Sequence, residues 1–124
     1  MTDVATLLLV DDEKMYLEMM ADMLHTLGYS VVAIDSGLAA LDYFEQHPQE
    51  FDCLVTDMTM PGMTGVQLAR RVLQIRPEFP IVLATGFSEL VTKEQALAIG
   101  IKTFVMKPLV KKAIAEAIRQ AIDS

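Results

Sequence analysis

A lone cysteine, Cys53, leaves this chain without an internal disulfide. It fits a reducing compartment such as the cytoplasm, and inside an apolar run it reads as a small buried hydrophobe. No apolar run approaches the roughly 18 residues that a membrane-spanning helix needs. The first residues carry Asp3 and no basic cluster, so they do not read as a secretory signal. Basic residues are scarce overall: 10 Lys and Arg face 17 Asp and Glu, for a formal charge of −7. That balance argues against direct nucleic-acid binding, which needs clustered cations along a phosphate backbone. Zinc-ligand spacing is absent. So are linkers, repeats and low-complexity stretches, and no output domain is visible.

What the chain does have is apolar content, 52% over 124 residues. That suffices for one well-filled core in a single domain spanning residues 1–124. Short apolar runs near residues 6–10, 30–34, 52–56, 81–84 and 103–106 read as strands. Helical patterns separate them. The first runs from about Lys14 to Leu27, with Tyr16, Met19, Met20, Met23, Leu24 and Leu27 on one stripe and Gly28 as its stop. The second starts after a Ser36 cap and ends at Pro48. The third lies between Thr64 and Ile75, closed by Pro77, and the fourth between Glu89 and Ile99, closed by Gly100. The fifth starts near Leu109, with Val110, Ala113, Ile114, Ala117, Ile118 and Ala121 in line. Alternating strands and helices predict an α/β, doubly wound parallel sheet with five helices.

In such a fold ligands bind beyond the carboxyl ends of the strands. Those ends are where this chain keeps its polar groups. Asp11 and Asp12 follow the first strand, Asp57 the third, Thr85 the fourth and Lys107-Pro108 the fifth. Asp35 follows the second, which is expected at the sheet edge, and reads as a turn residue. Converging carboxylates repel one another, and a hard divalent cation such as Mg²⁺ relieves this with oxygen ligands. Lys107 supplies positive charge and Thr85 a hydroxyl for phosphoryl oxygens. The set suits phosphoryl transfer onto a carboxylate, a reaction governed by positioning and charge neutralisation.

With Asp11-Asp12, Asp57, Thr85, Phe104 and Lys107-Pro108 in this order and spacing, the chain resembles a two-component response-regulator receiver domain of the chemotaxis type. The resemblance implies a flavodoxin-like sheet in the order 2-1-3-4-5. It implies Asp57 as phospho-acceptor and Mg²⁺ held by Asp12 directly, by Asp11 partly through water, by Asp57, and by the backbone carbonyl of Thr59. It makes Thr85 the switch hydroxyl, Phe104 the switch aromatic and Lys107 the phosphate-contacting lysine, with a candidate cis peptide before Pro108. Gly86 departs from the small Ala frequent there, and Phe104 lacks the hydroxyl of a Tyr. Phe87, beside the expected path of an attacking water, is expected to slow hydrolysis of the phospho-aspartate.

The implied partners are a sensor histidine kinase or histidine phosphotransfer protein, and a downstream target or attached domain. Signalling would run through the face of the fourth helix, fifth strand and fifth helix, in a monomer or phosphorylation-dependent dimer, without membrane insertion. The chemistry would be confined to the protein's own phosphoryl group. An alternative is a haloacid-dehalogenase-like phosphatase with an aspartyl-phosphate intermediate. Such enzymes carry a second acid two residues after the nucleophile, where this chain has Thr59. A flavin-binding module on the same fold would need a phosphate-cradling loop where Asp11 and Asp12 stand. Lys111 and Lys112 read as a solvated face, the first-helix methionines as core filling, and Gly62 and Gly65 as loop permissiveness.

Overall fold

The computed structural model describes residues 4–86 and 90–123. Among them five strands alternate with five helices: β1 (Thr6–Val10), α1 (Lys14–Thr26), β2 (Ser30–Ile34), α2 (Gly37–Gln46), β3 (Cys53–Asp57), α3 (Gly65–Ile75), β4 (Ile81–Thr85), α4 (Leu90–Ala98), β5 (Thr103–Met106) and α5 (Lys111–Asp123). The strands form one parallel sheet in the order β2-β1-β3-β4-β5, as the resemblance implied. Residues of β3 and β4 are buried throughout, which requires apolar side chains on both faces. Edge strand β2 is only half covered.

The period-two alternation of the strands sorts their side chains into two cores. Leu8, Leu54, Ile81 and Leu83 pack against the side of α2 and α3. Leu7, Leu9, Cys53, Val55, Val82 and Val105 pack against α1 and α5. On the first side Phe44 meets Phe79 edge-on at 5.2 Å and stacks on Phe51 at 6.2 Å. Arg76 closes that cluster, lying 4.7 Å over the Phe79 ring and donating hydrogen bonds to the carbonyls of Pro48 and Phe51.

Several expectations shift. Strand β3 begins at Cys53, not residue 52; Asp52 instead accepts a hydrogen bond from the Thr6 N–H at 2.7 Å. It extends to Asp57 because that residue still pairs with Ala84, and β4 likewise extends to Thr85, opposite Met106. Helix α5 begins at Lys111, because its first turn closes from Ile114 N–H to the Val110 carbonyl. Val110 therefore stands outside the helix and exposed. On α1 the buried residues are Leu17, Met20 and Leu24. Met19 is 56% exposed, a correction to the stripe and to its core-filling role. At 100° per residue it lies nearly opposite Leu17, which carries the packing instead.

Cys53 is fully buried, as anticipated. Burial, reinforced by the neighbouring Asp52 charge, pushes its thiol up to about 12 from 9.0. The native state thus holds this proton more tightly than the unfolded chain does. The corresponding stability is complete below pH 9.0 and is lost as the pH climbs from there towards about 12. A thiol-specific reagent is expected to leave the native protein unlabelled at neutral pH and to label it fully in denaturant. Rapid labelling of folded protein would contradict this placement.

Candidate functional site

Parallel pairing sets the carboxyl ends of β1, β3, β4 and β5 along one edge of the sheet, which brings the polar strand ends together. Asp11 follows β1 directly and is buried to 4% exposure. One of its carboxylate oxygens accepts the Glu13 N–H at 2.9 Å, and the other faces the Lys107 ammonium at 3.1 Å. Asp57, the last residue of β3, is 8% exposed, and its Oδ1 lies 3.0 Å from the same ammonium. Asp12 is exposed beside them. Carboxylate oxygens of Asp11, Asp12 and Asp57 all lie within 4.8 Å of one another.

The two buried acids, Asp11 and Asp57, share one cation, and Asp12 stands beside them. Burial alone would lower the Lys107 ammonium, but hydrogen bonding and charge from Asp57, then from Asp11, outweigh it. Its pKa therefore sits above the ordinary lysine value, and the side chain stays charged across the neutral range. The donor set of the cluster is all oxygen and anionic, which suits Mg²⁺ rather than a thiophilic metal.

The loop carrying Asp57 into α3 is clipped at its neck. The Gly65 N–H bonds the Met58 carbonyl at 2.8 Å. Thr64 then caps α3 with a reciprocal box: its hydroxyl accepts the Gln67 N–H at 3.1 Å, and the Gln67 side chain accepts the Thr64 N–H at 2.9 Å. A β-carbon at Gly65 would drive into the Asp57 carbonyl and stand 3.0 Å from Met58 Cα. Gly65 is thus a steric requirement for where Asp57 sits, not merely loop permissiveness. The run Asp57–Gly65 signalled a loop, but not this close approach. Gly62 fits the permissive reading, with φ +81° and nothing closer to an added β-carbon than the Leu38 side chain at 3.9 Å.

Thr85 is buried, and its hydroxyl donates to the Met106 sulfur at 3.5 Å across the β4–β5 pair. Phe104, two residues earlier on β5, is partly buried against the core on the α2 and α3 side. Asp57 and Lys107 meet near the α1 side, where Tyr16 lines the same small cavity as Asp11 and Asp57. Lys107–Pro108 is a cis peptide, as the resemblance suggested. Thr59 is exposed in the loop, and Gly86 closes the described stretch after β4. Phe87 and the expected start of the fourth helix at Glu89 lie outside the described residues. Asp35 is exposed after the edge strand, consistent with a turn role. Lys111 and Lys112 are exposed.

One contributor was missed by sequence reasoning. Tyr16 read as part of an apolar stripe, yet its ring centre is 4.9 Å from the Lys107 ammonium and its hydroxyl accepts the Leu109 N–H at 3.3 Å. The only available hint was its place five residues after Asp11. No helix among the described residues is long and apolar enough to cross a membrane.

Known proteins share this fold. Residues 7–119 match the response regulator receiver domain family. The transcriptional regulatory protein GlrR of Escherichia coli (strain K12) is 31% identical over 119 residues, covering 96% of this chain and 26% of GlrR. The transcriptional regulatory protein FixJ of Bradyrhizobium diazoefficiens is 30% identical over 125 residues, covering 98% of this chain and 60% of FixJ. The chain thus spans a minor part of GlrR and little more than half of FixJ. A crystal structure of a response regulator receiver domain protein from Clostridium thermocellum superposes with a TM-score of 0.93 at 28% identity, covering 97% of this chain and 95% of that one. None of these similarities supports the dehalogenase-like phosphatase. With its acid cluster, its sheet order and these relatives in agreement, the chain belongs to the response regulator receiver domain family, the signalling modules of two-component systems rather than classical enzymes.

Proposed function

We propose that this receiver accepts a phosphoryl group on Asp57 in a Mg²⁺-dependent reaction, from the phosphohistidine of a sensor histidine kinase or histidine phosphotransfer protein. The observation that carries this reading is the Asp57 carboxylate, nearly buried, 3.0 Å from Lys107 and inside a cluster of three acids. An Asp57 oxygen attacks phosphorus, the phosphorus–nitrogen bond of the donor breaks, and the imidazole leaves with a proton. Lys107 opposes the charge that gathers on the transferred oxygens. Mg²⁺, when bound, shields that same charge and aligns the donor. Asp12, Asp57 and the Thr59 carbonyl would hold the ion. Asp11 already accepts from Glu13 N–H and pairs with Lys107, which suits it to an indirect role through water.

The new phosphoryl group adds about −1.5 to −2 charges and strong acceptor oxygens. Thr85 turns from the Met106 sulfur to bond one of them. Phe104 then repacks, and the change is read on the face of α4, β5 and α5. An attached domain or a separate protein target in the cytoplasm would read it, in a monomer or a phosphorylation-dependent dimer.

Intact-protein mass after incubation with acetyl phosphate tests the chemistry. One phosphoryl adduct is expected, dependent on Mg²⁺ and absent from Asp57→Asn. An adduct that persists in the folded Asp57→Asn protein, or forms equally well in excess chelator, would sink the assignment.

A further inference from the structure

Lys107 is the cation on which the proposed chemistry leans, and its long stem is intrinsically mobile. The ion pairs with Asp11 and Asp57 hold it before reaction. The transfer alters the Asp57 pair, because that carboxylate becomes an acyl phosphate and its charge moves outward onto phosphoryl oxygens, while the Asp11 pair is left in place. A contact independent of the acids would limit how far the ammonium follows that charge.

We infer that Tyr16 is a positioning residue for Lys107, holding it by two separate contacts from one side chain. The ring centre lies 4.9 Å from the ammonium, within the range where a cation is attracted to the negative face of an aromatic ring. The ring carries no formal charge, so it steadies the ammonium without competing for it as a further acid would. The second contact fixes the backbone. Pro108 has no N–H, and the next one along, at Leu109, precedes α5 and lacks a helical partner. The Tyr16 hydroxyl accepts it at 3.3 Å. Ring and hydroxyl thus bracket Lys107-Pro108 between the ammonium and the following amide. Tyr16 lies in the first turn of α1, five residues after Asp11, so it ties the acid-bearing loop to the lysine-bearing one.

This role rests on the phosphoryl-acceptor reading, and its test separates the two. Tyr16→Phe keeps the ring and loses the hydroxyl; Tyr16→Leu loses both. Each is made with Lys107 intact and with Lys107→Ala. NMR reads the ring-current shift of the Lys107 ε-methylene protons, and mass spectrometry reads the rate of adduct formation from acetyl phosphate with Mg²⁺.

Tyr16→Leu is expected to abolish the ring-current shift and slow the adduct about three- to tenfold. Tyr16→Phe is expected to keep the shift and fall between Tyr16→Leu and wild type. With Lys107→Ala, neither Tyr16 variant should slow the reaction further. A Tyr16→Leu protein that reacts at the wild-type rate would overturn the inference. So would a loss just as large in the Lys107→Ala background, since a scaffold defect does not need the lysine. Wild-type protein that shows the ring-current shift but forms no adduct would overturn the acceptor reading, and this role with it.

Discussion

Gly65→Ala is expected to destabilise the protein by about 3 kcal/mol and to remove most of its capacity to form the Asp57 adduct. The new methyl group has nowhere to go. Its neighbours are the Asp57 carbonyl group and Met58 Cα, all backbone atoms, so no side-chain rotation relieves the overlap. The clip between Gly65 N–H and the Met58 carbonyl must lengthen, or the end of β3 must tilt. Either movement takes the Asp57 carboxylate away from Lys107. Gly62→Ala is the control from the same loop. Its backbone is left-handed, with only Leu38 near at 3.9 Å. It is expected to cost about 1 kcal/mol and leave the chemistry intact. Denaturant titrations and adduct mass on both variants decide the matter. A Gly65→Ala protein within about 0.5 kcal/mol of wild type would remove the steric argument.

Lys107→Met should produce the second large effect, and one that depends on metal. Without the ammonium, Asp11 and Asp57 face each other and Asp12 with no counter-charge. The partly exposed lysine is screened by solvent, so the metal-free loss is set at about 1–3 kcal/mol, below that of a fully buried pair. Mg²⁺ should restore much of it, because an ion that binds only the folded state stabilises by mass action. The variant should also bind Mg²⁺ more tightly than wild type, as the lysine no longer competes for the acids. Adduct formation should remain impaired, since the metal cannot replace a donor aimed at the phosphoryl oxygens. Parallel denaturation curves in chelator and in Mg²⁺ measure this. Equal curves for variant and wild type in chelator would show that Lys107 does not balance the cluster.

Much of the architecture was legible before the structure because each element announces itself locally. Short apolar runs and helical stripes delimit strands and helices, and Ser36 stands where a cap belongs. That cap forms, Ser36 accepting from the Ala39 N–H at 3.3 Å, whereas the Thr64 cap emerged only from the structure. The phase of α1 was less legible. Methionines on both sides of that helix blur its stripe, and only packing against the sheet selects Leu17 and Met20 over Met19. Of the site, the acids, Thr85 and Lys107 could be read because strand ends converge whatever the side chains. Distances between elements could not. Tyr16 and Asp11 each reach a loop more than ninety residues further along, and Asp57 meets the same lysine from the middle of the chain. Nor does a glycine in a sequence disclose whether it serves a turn, as Gly62 does, or a collision avoided, as Gly65 does.

The bond from the Thr85 hydroxyl to the Met106 sulfur has a practical consequence. Met106 is half exposed at the rim of the sheet, and its S-methyl group would sense whether that hydroxyl is present. A protein labelled with ¹³C-methyl methionine would therefore carry its own spectroscopic reporter. The Met106 resonance should move when Asp57 is modified and Thr85 turns away. The populations of the two states could then be counted directly, in solution and without a partner protein.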